Sequence, residues 1–202
     1  MDRVRCEWAA CEDCAVVHFL RVERRVPVEE RHVCRRHARE VFGQMYSRTP
    51  CAIEGPQHQS GAVTFDLDFM FLDEAAQEGA FPYFVNFREV AGRRRFGFRT
   101  GFSEYWALDG ALRPSPSPYI PTHELMRRTV ELLGGRVECV VVRDFIVTEQ
   151  RHCTELQIRQ GQSMLATDIR LSDAAILAVT CDVPIFALEE TLAKFREPTW
   201  PF

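Results

Sequence analysis

Cysteine spacing constrains this chain more than any other feature. Cys6, Cys11, Cys14, Cys34 and His37 all fall within the first 40 residues, whereas Cys51, Cys139, Cys153 and Cys181 are scattered through the rest. So short a segment buries too little apolar surface to fold on hydrophobic contacts alone. Cysteines, an intervening hairpin of alternating residues and then Cys34-Arg35-Arg36-His37 make the ligand plan of a small tetrahedral zinc site, and metal binding would supply the missing stability. Cys34 and His37 form one half of that set. Cys6, Cys11 and Cys14 compete for the other half, Cys11 and Cys14 having the common two-residue gap. Four protein ligands leave no open position for a water nucleophile, so such a metal is structural. His18, on a hairpin strand, reads as a packing residue or as a donor to a ligand.

The spacing divides the chain into a zinc-binding module over residues 1–42, a linker over 43–61 and a main domain over 62–202. In the linker, Gly43, Ser47, Pro50, Gly55, Pro56, Ser60 and Gly61 interrupt every apolar period, and His58 is expected to be solvated. No run of about 18 apolar residues predicts a membrane span. The first residues lack the apolar stretch of a secretory signal, which places the protein in the cytoplasm. The eight cysteines are therefore read as metal ligands or buried thiols before disulfides. A net charge of -4 argues against tight, non-specific wrapping of nucleic acid. Two local basic patches, Arg93-Arg94-Arg95 with Arg99, and Arg21, Arg24, Arg25, Arg35, Arg36 and Arg39, read first as solvated faces offset by nearby acids.

The main domain predicts an α+β fold. Val63, Phe65, Leu67, Phe69 and Phe71 alternate with Thr64, Asp66 and Asp68, a half-buried strand with its two acids on the wet face. Strands follow around 81–90 and 94–99, then a short helix from Ser103 to Leu112 and an extended proline-rich connection at 113–118. A helix capped by Thr122 carries a buried stripe of Leu125, Met126, Thr129, Val130, Leu132 and Leu133 before Gly134-Gly135 stops it. The second half repeats the plan: an apolar strand from Val137 to Val147, alternation at Thr154, Leu156 and Ile158, a strand from Met164 to Ile169, and a helix capped by Ser172. Each half ends in a serine and an acid, Ser103-Glu104 and Ser172-Asp173. The expectation is a duplicated unit around a mainly antiparallel sheet.

Phosphodiester hydrolysis needs a positioned water, a base, and positive charge on the phosphate oxygens. Asp168, Arg170 and Asp173 offer two oxygen ligands and a cation within six residues, and His123 and Glu124 add a base and a third ligand if the helix start at Thr122 faces the same cleft. The competing reading is structural: Ser172 and Asp173 suit a helix start, Arg170 suits an ion pair, and Thr122-His123-Glu124 suits another helix start. Asp144, in an apolar strand, is a lesser candidate that needs a partner. Cys139, Cys153 and Cys181 read as small buried hydrophobes.

Two resemblances sharpen these readings. Thr167-Asp168-Ile169-Arg170-Leu171-Ser172-Asp173-Ala174-Ala175-Ile176-Leu177-Ala178 with Val183-Pro184-Ile185-Phe186, Tyr119-Ile120-Pro121-Thr122-His123-Glu124-Leu125 and Gly101-Phe102-Ser103-Glu104 resemble the bifunctional nuclease family over roughly residues 62–197. The resemblance implies a nuclease that cuts DNA or RNA with Mg²⁺ or Mn²⁺, with Asp168, Arg170, Asp173, His123 and Glu124 as its catalytic set. Cys11-Glu12-Asp13-Cys14-Ala15-Val16-Val17-His18 is similar to the zinc modules at the front of bacterial protein-arginine kinase activators. That register implies Cys6, Cys11, Cys34 and His37 as the zinc ligands, with Cys14 in place of Cys6 as the alternative. Expected partners are nucleic acid, bound weakly or transiently, a protein at the zinc module, and a further copy of the chain in a homo-oligomer, with no membrane. The rival class is a non-catalytic binding or regulatory protein, in which Arg170 and its acids hold the domain or an oligomer interface together.

Overall fold

The computed structural model describes residues 4–47, 62–73, 83–90, 94–114, 116, 118–146 and 151–194. Two strands, β1 (Val17–Glu23) and β2 (Val26–Val33), form a hairpin that leads into α1 (Arg35–Ser47). A three-stranded antiparallel meander follows, β3 (Ala62–Asp73), β4 (Tyr83–Glu89) and β5 (Arg95–Thr100), then α2 (Phe102–Leu112) and α3 (Thr122–Leu132). A second meander, β6 (Gly135–Ile146), β7 (Arg151–Gln160) and β8 (Ser163–Ile169), ends in α4 (Leu171–Cys181), β9 (Ile185–Leu188) and α5 (Glu189–Leu192). Each meander thus runs into a helix that begins beside a serine and an acid, as the repeated sequence plan requires. The fold is α+β with a mainly antiparallel sheet.

All nine strands join in the order β2-β1-β3-β9-β6-β7-β8, with β4 and β5 continuing from β3. β1 pairs with β3 through Val17↔Asp73 to Arg21↔Phe69, so the N-terminal hairpin extends the main sheet. β9 enters between the two meanders, antiparallel to β3 and parallel to β6. The α1 helix continues into the stretch read as linker, and positions 48–61, with Cys51 and His58, lie outside the described residues.

Apolar residues fill both faces. On one, α2 and α4 bury Leu108, Ala174, Ile176 and Leu177 against Phe65, Phe87, Val140 and Leu156. On the other, Phe19, Phe71 and Phe84 pack beneath α1 with Ala38, Val41, Cys6 and Cys34. A sheet covered on both sides explains why neighbouring Met70 and Phe71 are both buried, at 0% and 1% exposure.

Four expectations require correction. A β-bulge between Leu67 and Phe69 breaks the strict alternation of β3, and Asp68 turns inward, where Arg95 Nε donates to it at 2.9 Å. Thr122 is not the N-cap of α3: Pro121 is, and no side chain caps the turn. Arg170 rather than Ser172 occupies that position in α4, again without a side-chain cap bond. The stripe on α3 is not buried either; Val130 alone of its six members packs against the main core, while Leu125, Met126, Leu132 and Leu133 face solvent. No helix among the described residues is long and apolar enough to cross a membrane.

Candidate functional site

Two side-chain clusters could carry function, and they lie in different parts of the chain. The first is built by turns in the N-terminal segment. The Cys6 amide donates to Asp13 O and the Cys11 amide to Trp8 O, with Ala10 in the left-handed region at φ 59°. Cys34 closes β2 and His37 lies in the first turn of α1, its amide 3.1 Å from Cys34 O.

The ligand atoms of Cys6, Cys11, Cys34 and His37 lie within 4.8 Å of one another. Cys34 Sγ and Cys6 Sγ stand 3.3 and 3.5 Å from His37 Nδ1, and Cys11 Sγ stands 3.9 Å from Cys34 Sγ. A tetrahedral zinc, with Zn–S of about 2.3 Å and Zn–N of about 2.0 Å, sets sulfur atoms about 3.8 Å apart and sulfur and nitrogen about 3.5 Å apart. The four side chains therefore fit a tetrahedral metal ion. Cys14, the alternative to Cys6, is exposed and outside the group. Trp8 stacks on the His37 ring with centroids 5.0 Å apart, fixing its plane. His18 faces His32 across the hairpin, their Nδ1 atoms 2.6 Å apart.

The second cluster draws one residue from each of four places. Glu104 lies in the first turn of α2, His123 in the first turn of α3, Arg170 at the N-cap of α4 and Asp173 in its first turn. His123 Nε2 is 3.3 Å from Asp173 Oδ1. Arg170 Nε donates to Asp173 Oδ2 at 2.7 Å, and its Nη1 reaches Glu104 Oε1 at 3.4 Å. The hydrogen bond to Asp173, with the charges of Asp173 and Glu104, holds the guanidinium above its ordinary pKa. The Arg170 side chain is nonetheless 71% exposed, so its outer face remains open to an anion. Two carboxylates, an imidazole and an exposed cation converge at the N-terminal ends of three helices, where helix dipoles also favour negative charge.

The other sequence candidates stand elsewhere. Glu124 accepts from Arg127 Nη2 at 2.7 Å and from Arg128 Nε at 2.7 Å, and these cations pull its carboxyl down to about 2. Asp168 lies opposite Glu155 in the β7–β8 ladder, on the face away from its neighbour Ile169, which packs on the main core. Its charge acts there on Arg143, which is bound to Glu155. Asp144 binds Lys194 Nζ at 2.6 Å. Burial pushes the Cys139 and Cys181 thiols up to about 11, which keeps them protonated. The basic patches are largely paired with acids: Arg94 with Glu89 and Glu189, Arg95 with Asp68, Arg21 with Glu23 and Glu29, and Arg35 with Asp73.

Glu104 is the residue that sequence reasoning left out of the site. Its signal was the repeated serine-acid pair, since the two halves bring Ser103-Glu104 and Ser172-Asp173 to matching helix starts. Comparison with curated proteins yields no match. Residues 86–199 match the bifunctional nuclease domain, more than half of the 202-residue chain, and the matched span contains Glu104, His123, Arg170 and Asp173 but not the cysteine cluster. With the second meander and the helix-start cluster inside that span, the chain belongs to the bifunctional nuclease domain family.

Proposed function

We propose that this protein hydrolyses phosphodiester bonds of DNA or RNA with the assistance of a divalent cation, at the cluster of Glu104, His123, Arg170 and Asp173. The observation that carries the reading is the 3.3 Å approach of His123 Nε2 to Asp173 Oδ1. A carboxylate accepting from Nε2–H fixes the tautomer and leaves Nδ1 with the lone pair, the arrangement of a general base. His123 Nδ1 takes a proton from the attacking water, the water oxygen bonds to phosphorus, and the bond to the leaving oxygen breaks as that oxygen picks up a proton from solvent. The exposed guanidinium of Arg170 binds the non-bridging oxygens, where negative charge grows.

Glu104 and Asp173 suit Mg²⁺ or Mn²⁺, because one Arg170 guanidinium spans both carboxylates and such ions are commonly held by one or two carboxylates with water and phosphate. When bound, the cation would polarise the phosphate and acidify a water. In this reading Glu124 serves its arginine neighbours, and Asp168 lies outside the centre. The N-terminal metal is zinc and structural, its four protein ligands closing the shell, and the module offers a surface to a protein or nucleic-acid partner. The protein works in the cytoplasm, where buried Cys139 and Cys181 stay reduced.

The test is cleavage of labelled single-stranded RNA and DNA by highly purified protein with Mg²⁺, Mn²⁺ or EDTA, beside His123→Ala and Asp173→Ala. Metal-dependent cutting that falls by about 10²-fold or more in folded variants supports the site. Cutting that persists in both would overturn it. A second reading, a non-catalytic domain, draws on Arg170 bridging α2 to α4 through Glu104 and Asp173. It predicts no cleavage by the wild type and a lowered melting temperature in Asp173→Ala.

A further inference from the structure

Helix α3 sits with its polar side inward. His123, Glu124 and Arg127 are half-buried, and Val130 packs on the core, whereas Leu125, Met126, Leu132 and Leu133 are 53%, 40%, 87% and 71% exposed. The orientation has a cause. His123 must face α4 to reach Asp173, and at 100° per residue this turns the apolar stripe to the opposite side.

The outward stripe is symmetric about Thr129. Leu125 and Leu133 lie four residues to either side of it, Met126 and Leu132 three, and Thr129 is itself exposed. When two such helices run antiparallel about a two-fold axis at Thr129, Leu125 meets the other copy's Leu133, Met126 meets its Leu132, and the small threonines meet each other. We propose that α3 is a homodimerisation helix, paired antiparallel with α3 of a second copy of this chain.

Charge favours a copy over other occupants. The stripe carries no charge, and the charged residues of α3, Glu124, Arg127, Arg128 and Glu131, are neutralised within their own chain, Arg127 bonding both acids and Arg128 bonding Glu124. A second copy meets no net repulsion there, while nucleic acid or a strongly charged protein gains no selective attraction. The exposed apolar surface is on the order of several hundred Å² per copy, near the lower edge of the roughly 1,000 Å² total of a specific interface. The dimer is therefore weak and concentration-dependent.

Sedimentation equilibrium of the full chain, with its metal retained, tests the pairing over a concentration series. The mass should climb from 23.3 kDa towards twice that value, and Leu132→Glu should hold it at 23.3 kDa with an unchanged melting temperature. Thr129→Cys should form a covalent dimer under mild oxidation that the wild type, with its exposed Cys14, does not, and adding Leu132→Glu should abolish it. A wild type that stays monomeric at every concentration overturns the proposal. So does a dimer indifferent to Leu132→Glu, which would lie on another surface.

Discussion

Arg25 reaches from the tip of the β1–β2 hairpin to the far end of α4, where its Nη1 donates to Ala178 O at 2.6 Å. The two residues are 153 positions apart in the sequence. The same side chain donates to Val183 O and to Asp182 Oδ1, the latter at 3.0 Å. The cation adds a third donor to the Ala178 carbonyl, which also accepts from the Asp182 and Val183 amides, reaches the Val183 carbonyl beyond the helix, and lies where the helix dipole favours positive charge. Arg24 and Arg25, at φ 48° and 61°, hold the tight hairpin turn that aims it.

Arg25→Ala should lower stability by about 1–3 kcal/mol, the range for losing hydrogen bonds from a charged donor. Chemical denaturation compares the variant with the wild type. Because the contact joins the N-terminal hairpin to α4, the variant should also speed amide exchange at the C-terminal turn of that helix. Unchanged exchange there would show that the bond carries no load.

Two glycines separate packing from chemistry. A Cβ at Gly97 would stand 2.4 Å from Phe84 Cε1 and 3.0 Å from Val85 O, with the Phe84 ring already stacked on Phe71. Gly97→Ala should cost about 1–3 kcal/mol through overpacking. At Gly101 the added Cβ would meet Glu104 Oε2 at 2.6 Å, the mobile end of a side chain. Gly101→Ala should therefore melt close to the wild type while cutting nucleic acid more slowly, because Glu104 is pushed from its place beside Arg170. Cleavage rates and melting curves of the pair decide this.

His152 links stability to pH. Its ring lies 4.8 Å from that of Phe145 and 6.2 Å from that of Phe98, and burial lowers its pKa to about 4. The unfolded chain protonates this imidazole near pH 6.5, so between about 6.5 and 4 the unfolded state binds more protons. Stability must fall as pH drops through that window and stay level, for this group, above it. Melting curves from pH 7 to 4.5 should decline more steeply in the wild type than in His152→Phe, with a difference of up to about 3 kcal/mol over the full window. Parallel curves would exclude the histidine as the cause.

Metal removal should loosen more than the N-terminal turns. Cys6 and Cys34 belong to the same buried cluster as Phe71 and Phe84 of β3 and β4. Chelation, or Cys34→Ser, should release zinc, measured by elemental analysis, and lower the melting temperature of the whole chain. A full-height transition at the original temperature after complete metal loss would contradict this coupling.

Much of this architecture was legible from local pattern. The two meanders followed from period-two alternation and the outline of the cysteine cluster from spacing, while the choice of Cys6 over Cys14 came from the resemblance, and the helices after the serine-acid and threonine signals were found without their true N-cap residues. Burial on a second face was not legible. Asp68 reads as a solvated acid until the bulge after Leu67 turns it towards Arg95 and Arg88, whose own positions depend on β4 and β5. The stripe on α3 reads as core because periodicity reports amphipathicity and not which side faces in; the long-range demand of His123 on Asp173 decided that. Glu104 stayed hidden for a related reason: its contact with Arg170 spans 66 residues and exists only once both halves are folded.

The position of β9 has a temporal consequence. Its four residues, Ile185–Leu188, bridge β3 of the first meander and β6 of the second, yet they are translated after nearly everything they join. A chain leaving the ribosome at about 5–20 residues per second must hold two half-sheets with open inner edges until that short strand emerges. The helix starts of the two halves can lock together only then, so a nascent chain carries no assembled cluster of Glu104, His123, Arg170 and Asp173 until that strand has paired on both sides.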